Sequence, residues 1–400
     1  MTYSKTGLSR RQALGAIGGG AAALTAVAAN AQSTAVDPRS TVTEPRRDFG
    51  PGAEPNVYFW DPDLVSVDDR LWSVMQPNAS IERLWTGARW AEGPAWNSVG
   101  KFLVWSDIPE NRQMRWLDED GHVSTFRYPS GNSNGNTFDY QGRQLSCEHL
   151  NRRVVRYELD GSVTVIADTF EGQRFNSPND VVAHPDGSYW FTDPPYGGQL
   201  YEGAPDAAGG RSNPDGLFDP TLGQPPEIGD YVREMDTATY RVAPDGTITR
   251  VAGHDQTPDP NGLCFSPDQS ILYIASTGPG PGDDGDGGEG LIFAYDVSDD
   301  GTLANGRVFS DCMVDGIKCG PDGLRCDVAG NLWASSNAGR NVGYSGVTVW
   351  APDGQLMGRI RLPEVCGNVC FGGPKRNRLF MAASQSIYSV YTGTQGAGPA

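Results

Sequence analysis

The sequence predicts an all-β protein, a six-bladed β-propeller with four-stranded blades, on three observations. Glycine and proline are abundant, 52 and 29 of 400 residues, and helix interiors tolerate neither well. Aromatic residues are plentiful (Trp 10, Tyr 15, Phe 14), which sets the chain apart from disordered sequences. Above all, one pattern recurs six times: a polar residue, a short apolar strand, a Gly- or Pro-containing turn, and a second strand rich in aromatics. A period near 40–50 residues that supplies about four strands is the signature of a propeller blade.

The copies run in order. They open at Glu92, Asn134, Asn179, Asn261, Asp322 and Gly367, with starts 42, 45, 82, 61 and 45 residues apart. Their second strands are Lys101–Asp107, Arg143–His149, Ser188–Asp193, Ile271–Ser276, Asn331–Ser336 and Arg378–Ala383. Asp-Gly turns at Asp160-Gly161, Asp245-Gly246 and Asp353-Gly354 mark the outer hairpins of several copies, since this dipeptide suits a tight strand reversal. The last copy has one further strand, Ser386–Tyr391, and Ile81–Trp85 is expected to complete that blade and close the ring. The two long intervals hold insertions, roughly Tyr196–Asp230 and the acidic Gly278–Gly290, both expected as loops on one face. The acidic loop does not fit the EF-hand register and reads as solvated linker.

The N-terminus reads as an address. Ser9-Arg10-Arg11-Gln12-Ala13-Leu14 is a twin-arginine pattern, a weakly apolar Gly/Ala stretch follows, and Ala29-Asn30-Ala31 offers small residues for cleavage. This predicts a bacterial Tat signal peptide over residues 1–31 and a periplasmic or secreted protein. Residues 32–80 read as a linker and wrapping arm, 81–393 as the propeller and 394–400 as a tail. Losing the signal's three cations takes the net charge from −18 to about −21. So acidic a chain disfavours nucleic acid or an anionic membrane as partner. The four histidines, His122, His149, His184 and His254, are far apart in sequence, which argues against a His-rich zinc site. Of the seven cysteines, Cys147, Cys264, Cys326 and Cys370 sit in apolar runs and are expected as small buried hydrophobes. Pairing among Cys312, Cys319 and Cys366 is left open.

The chemistry concentrates at the six repeat starts. In a propeller the start of each innermost strand faces the central axis, so Glu92, Asn134, Asn179, Asn261 and Asp322 form one ring, with Gly367 in the sixth place. Two carboxylates and up to three amides, with no lysine or arginine at these positions, suit a hard divalent cation such as Ca2+, Mg2+ or Mn2+. A strand-start Asn or Asp can equally be a turn cap; five polar residues at six equivalent positions favour the metal site. The Gly131-Asn-Ser133-Asn-Gly135 run matches a nucleophile-elbow pattern but lacks the strand-turn-helix context.

Glu92-Gly-Pro, Phe175-Asn-Ser-Pro-Asn179-Asp180, Asn261-Gly-Leu and Pro321-Asp322-Gly-Leu are similar to motifs of the senescence-marker-protein/gluconolactonase/LRE-like family of propeller lactonases. The resemblance covers roughly residues 80–390. It implies a divalent metal, Ca2+ first, with Zn2+, Mg2+ and Mn2+ as other candidates, on Glu92, Asn179, Asn261 and Asp322, and a substrate-facing role for Asn134. It also implies hydrolysis of a small-molecule lactone, commonly a sugar lactone. An activated water would attack, with Asp322 the first candidate for the base and Asp180 and His149 the alternatives. Asp180 should alternate away from Asn179 and support it from behind. His149, here a candidate substrate contact, follows a second strand and is expected far from the inner-strand start. The substrate-contacting arginine that short animal-type members carry beside the third-blade motif has Ser177-Pro178 in its neighbourhood here, with Arg174 displaced. Two other readings share these residues: a phosphotriester hydrolase, and a non-catalytic binding platform with a structural ion.

Overall fold

The computed structural model describes residues 60–199, 234–277 and 290–399. The proposed signal peptide, most of the arm, the bulk of the first insertion and the acidic loop lie outside the described residues. Six antiparallel sheets account for nearly all of the secondary structure. Blade 1 runs from Ala91–Asn97 through Phe102–Asp107 and Arg112–Leu117 to Val123–Arg127. The innermost strands of the next five blades are Ser133–Phe138, Val181–Ala183, Pro260–Phe265, Gly320–Cys326 and Cys366–Gly372. Each repeat start therefore opens, or immediately precedes, an innermost strand, as the sequence predicts.

Closure is also as predicted, with the strand one residue later than expected. Glu82–Thr86 pairs antiparallel with Ser386–Tyr391 and supplies the outermost strand of blade 6. The arm adds something the repeat count does not contain. Leu64–Ser66 pairs with Leu356–Arg361 as a fifth strand on blade 5. It is fixed there by the buried Asp63–Arg361 pair at 3.0 Å and by Leu64, Leu71, Val74 and Met75 in the core between blades 5 and 6.

Blade-to-blade interfaces are apolar wherever the aromatic second strands meet their neighbours. Trp96 stacks on Phe380 between blades 1 and 6, and Trp190 meets Phe265 edge-on between blades 3 and 4. The interface of blades 1 and 2 differs. Its apolar part is Ala95, Val104 and Phe138, flanked by Phe102 and Phe126, and the rest is a buried polar network. Gln113 Nε2 lies within 3.2 Å of Ser133 Oγ, Asn136 Oδ1 and Ser146 Oγ, and Asn136 Nδ2 donates to the carbonyls of Gly93 and Asn134. Such a network specifies one packing because leaving any member unpaired is costly.

All seven cysteines are buried free thiols, so the pairing left open among Cys312, Cys319 and Cys366 does not occur in this structure.

Candidate functional site

The ring residues are held by a device that the motifs share. In blades 1, 2, 4 and 5 the residue after the ring position is glycine: Gly93, Gly135, Gly262 and Gly323. Each brings its backbone against the next blade. A Cβ on Gly93 would stand 2.7 Å from the Cα of Gly135, and one on Gly262 would stand 2.6 Å from the Cα of Gly323. The Glu-Gly, Asn-Gly and Asp-Gly pairs are thus a packing requirement around the axis.

Hydroxyls complete the clamp. Ser106 Oγ donates to the Asn134 carbonyl at 2.7 Å, Thr192 Oγ1 to that of Asn261 at 2.6 Å, and Ser335 Oγ to that of Gly367 at 2.6 Å. Each reaches from the second strand of one blade to the ring residue of the next. The Asn179 carbonyl instead accepts the Gly135 N–H at 2.8 Å. Four ring carbonyls are therefore engaged with the preceding blade.

Gly367, the ring position without a side chain, has its own reason. A Cβ there would overlap Glu92 Oε1 and lie 2.8 Å from the carboxyl carbon. The Glu92 carboxylate occupies the space that a sixth side chain would fill. Glu92 and Asp322 both act on Cys366, next to Gly367: burial, then these two negative charges, push its thiol well above the ordinary value. The two carboxylates thus bear on one region of the axis.

The donor set fits a hard cation. Glu92, Asn134, Asn179 and Asn261 are each about 95% buried or more, while Asp322 is partly exposed. Asn134 Oδ1 and Asn261 Oδ1 are buried with no hydrogen-bond partner among the described residues. A buried amide oxygen without a donor is costly; a cation would satisfy that of Asn261 beside two carboxylates, and a substrate donor that of Asn134. Among the described residues no three His, Cys, Asp or Glu side chains cluster as a metal site; the ring pairs its two carboxylates with amides.

The position of His149 corrects the sequence expectation. In an antiparallel hairpin the end of the second strand lies beside the start of the first. Glu148 pairs with Ser133, and the His149 N–H donates to the Asn132 carbonyl at 3.2 Å. His149 therefore stands at the ring end of blade 2, two residues from Asn134 in the hairpin partner. Its ring is buried against Gly197, and neither ring nitrogen has a hydrogen-bond partner among the described residues. Burial lowers its pKa to about 3, so it is a neutral imidazole at physiological pH.

That shift has a definite sign. The folded pKa lies below the unfolded value near 6.5, so His149 contributes stability that is full above pH 6.5 and is lost as the pH falls toward 3. The slope is up to about 1.4 kcal/mol per pH unit. His149→Leu should remove that slope. Asp193, which burial pushes up to about 7, has the opposite sign but is common to both proteins. Urea denaturation of wild type and variant from pH 7 to pH 4 should give a stability difference that changes steadily with pH; a flat difference would show that His149 titrates normally.

Asp180 is fully buried, as a supporting role predicts. Its Oδ1 accepts the Val181 N–H and its Oδ2 pairs with Arg325 Nη1 at 3.3 Å. Tied in this way, it is a poor candidate for a proton acceptor. Arg174 is exposed, with its backbone N–H on Glu234 Oε2.

Two residues that hold the approach to the ring are absent from the sequence-derived set. Asp193 accepts the N–H groups of Asn176 and Ser177, both at 2.8 Å. Asp107 accepts those of Arg89 and Trp90 at 3.0 and 3.3 Å. In each case the donors lie three and two residues before the ring position. The signal was available, since Trp-Ser-Asp107 and Phe-Thr-Asp193 close the second strands of two repeats.

Comparison with known proteins agrees with this architecture. The model of the SMP-30/Gluconolactonase/LRE-like region matches residues 90–385. A gluconolactonase of Zymomonas mobilis is 29% identical over 355 residues, covering 83% of this chain and 87% of that protein. A pentonolactonase of Haloferax volcanii is 26% identical, covering 75% of this chain and 83% of that protein. The solved structure of a gluconolactonase from Xanthomonas campestris superposes with a TM-score of 0.66 at 32% identity, covering 82% of this chain and 94% of that one.

Proposed function

The chain belongs to the SMP-30/gluconolactonase/LRE-like family, and from that premise we propose that it is a metal-dependent lactonase acting on a small cyclic ester of the sugar-lactone type. The observation that carries the reading is the ring itself: two carboxylates with the buried Asn261 amide oxygen, which lacks a donor among the described residues, and a second such oxygen on Asn134 left for the substrate. Similarity to lactone-opening enzymes over most of the chain favours this reading over a phosphotriesterase or a binding platform.

Glu92, Asn179, Asn261 and Asp322 would hold the cation. When bound, it would supply charge stabilisation for the oxyanion that develops on the lactone carbonyl. The chain's own groups do the rest. Asp322 is the ring carboxylate with access to solvent, so it is placed to take a proton from the attacking water. Asn134 and the neutral His149 stand at the same end of blade 2 and would orient the substrate, their unpartnered buried polar atoms being available to its hydroxyls. The two insertions leave the described structure after Gln199 and Thr277, just beyond the second strands of blades 3 and 4. Those strands end on the ring side of the propeller, where loops would select the substrate.

The twin-arginine segment supports export, with the mature protein periplasmic or secreted. Cell fractionation of wild type and an Arg10→Lys/Arg11→Lys variant tests it.

The activity is tested with a panel of aldono- and alkyl lactones, assayed on purified protein before and after chelation and after Ca2+, Zn2+, Mg2+ or Mn2+ is added back. The expected result is turnover of a sugar-type lactone that chelation removes and one cation restores. Turnover unaffected by chelation would overturn the metal assignment; no turnover by a folded, cation-loaded protein would overturn the lactonase assignment.

A further inference from the structure

The layer of the central tunnel next to the ring carries a charge of its own. Directly after the ring residue, four blades have glycine, blade 6 has Asn368 and blade 3 has Asp180. The two exceptions stand three blades apart, on opposite sides of the axis. Both use Oδ1 in the same way, accepting the N–H of the valine that follows, at 3.0 Å for Asp180 and 2.8 Å for Asn368. A neutral amide does this job in blade 6, so the local backbone does not need a carboxylate in blade 3.

The charge on Asp180 must then have another partner or purpose, because a buried carboxylate is costly alone. Its remaining oxygen, Oδ2, meets Arg325 Nη1 at 3.3 Å. Arg325 belongs to blade 5 and lies three residues beyond Asp322. Blades 3 and 5 are not neighbours, so the pair is made across the tunnel. Arg325 Nη1 also donates to the Leu324 carbonyl at 2.6 Å. The arginine lines a cavity shared with Cys264, Cys326 and Cys370, at the ends of the innermost strands away from the ring. The pair therefore stands between the ring and that lower cavity, with Asp180 adjoining one ring residue and Arg325 on the strand of another.

We propose, on the reading that the ring holds a divalent cation, that Arg325 is a positioning residue that sets the charge the cation meets. By neutralising Asp180 across the tunnel, it leaves the site with the charge of Glu92 and Asp322 alone. It also locks Asp180 in place beside Asn179. Removing either partner changes the field at the ring by one charge, in opposite directions, and buried or partly buried charges are screened much less than exposed ones. Removing both restores the balance.

Calorimetric titration of the full chain with Ca2+ and Mn2+, together with urea denaturation, tests this on wild type, Asp180→Asn, Arg325→Met and the double variant. Asp180→Asn strands a cation beside the ring and should weaken cation binding by about tenfold or more. Arg325→Met strands a carboxylate and should bind the cation at least as tightly as wild type while losing stability without it. The double variant should return the dissociation constant to within about threefold of wild type. If Arg325→Met does not fold, the contrast between Asp180→Asn and the double variant carries the same test. Variants that lose stability with an unchanged cation affinity would overturn the inference and leave the pair as packing. A wild type that binds neither cation would overturn the inference together with the metal reading beneath it.

Discussion

Gly262→Ala is expected to damage both the fold and the activity, although it adds one methyl group and alters no proposed ligand side chain. The new Cβ would stand 2.6 Å from the Cα of Gly323 and 2.9 Å from the Leu324 nitrogen, and would press on the Asp322 carbonyl. These are backbone atoms of the next blade, so no side-chain rotation relieves the overlap. Blades 4 and 5 must separate, and they carry Asn261 and Asp322. Overpacking a close-packed interior costs about 1–3 kcal/mol or more, and a shift of about 1 Å in a reacting geometry can cost about a hundredfold in rate. Urea denaturation and lactone turnover should therefore fall together. Gly398→Ala, where nothing lies within 4 Å of the added atom among the described residues, should leave both unchanged. A Gly262→Ala protein with wild-type stability and turnover would refute the close approach of the two blades.

The same contact explains why so much of the site is legible in the sequence. A residue that starts each innermost strand recurs at a fixed place in every repeat, and propeller symmetry converts that into one ring. The glycine after it recurs for the reason just given. Glu92, Asn134, Asn179, Asn261 and Asp322 could therefore be found by register alone. What register does not reveal is how one blade compensates for another. The missing side chain of Gly367 looks like a gap in the ring until the Glu92 carboxylate is seen filling it. Arg325 looks like an ordinary strand residue until it meets Asp180 two blades away. The place of His149 follows a simpler rule: antiparallel pairing puts the end of one strand beside the start of its neighbour, so a residue that closes the second strand of blade 2 stands at the ring end.

The two ring carboxylates should fail differently when neutralised, and the difference separates a ligand from a ligand that also moves a proton. Glu92→Gln keeps the side chain's length and the filling of the space at Gly367. It removes one of two negative charges from a cation's surroundings, so affinity for Ca2+ should fall by about a hundredfold or more, with most of the turnover recovered at saturating Ca2+. Asp322→Asn removes the same charge and should show a similar loss of affinity. It also removes the solvent-accessible carboxylate assigned to the attacking water. Saturating Ca2+ should then restore binding without restoring turnover, leaving kcat down by about a hundredfold or more. Cation titrations followed by kcat and KM at saturating cation would read both. If saturating Ca2+ rescues Asp322→Asn as fully as Glu92→Gln, Asp322 is a ligand only. The proton must then go to another group, and His149, neutral and standing at the ring end of blade 2, becomes the next residue to test.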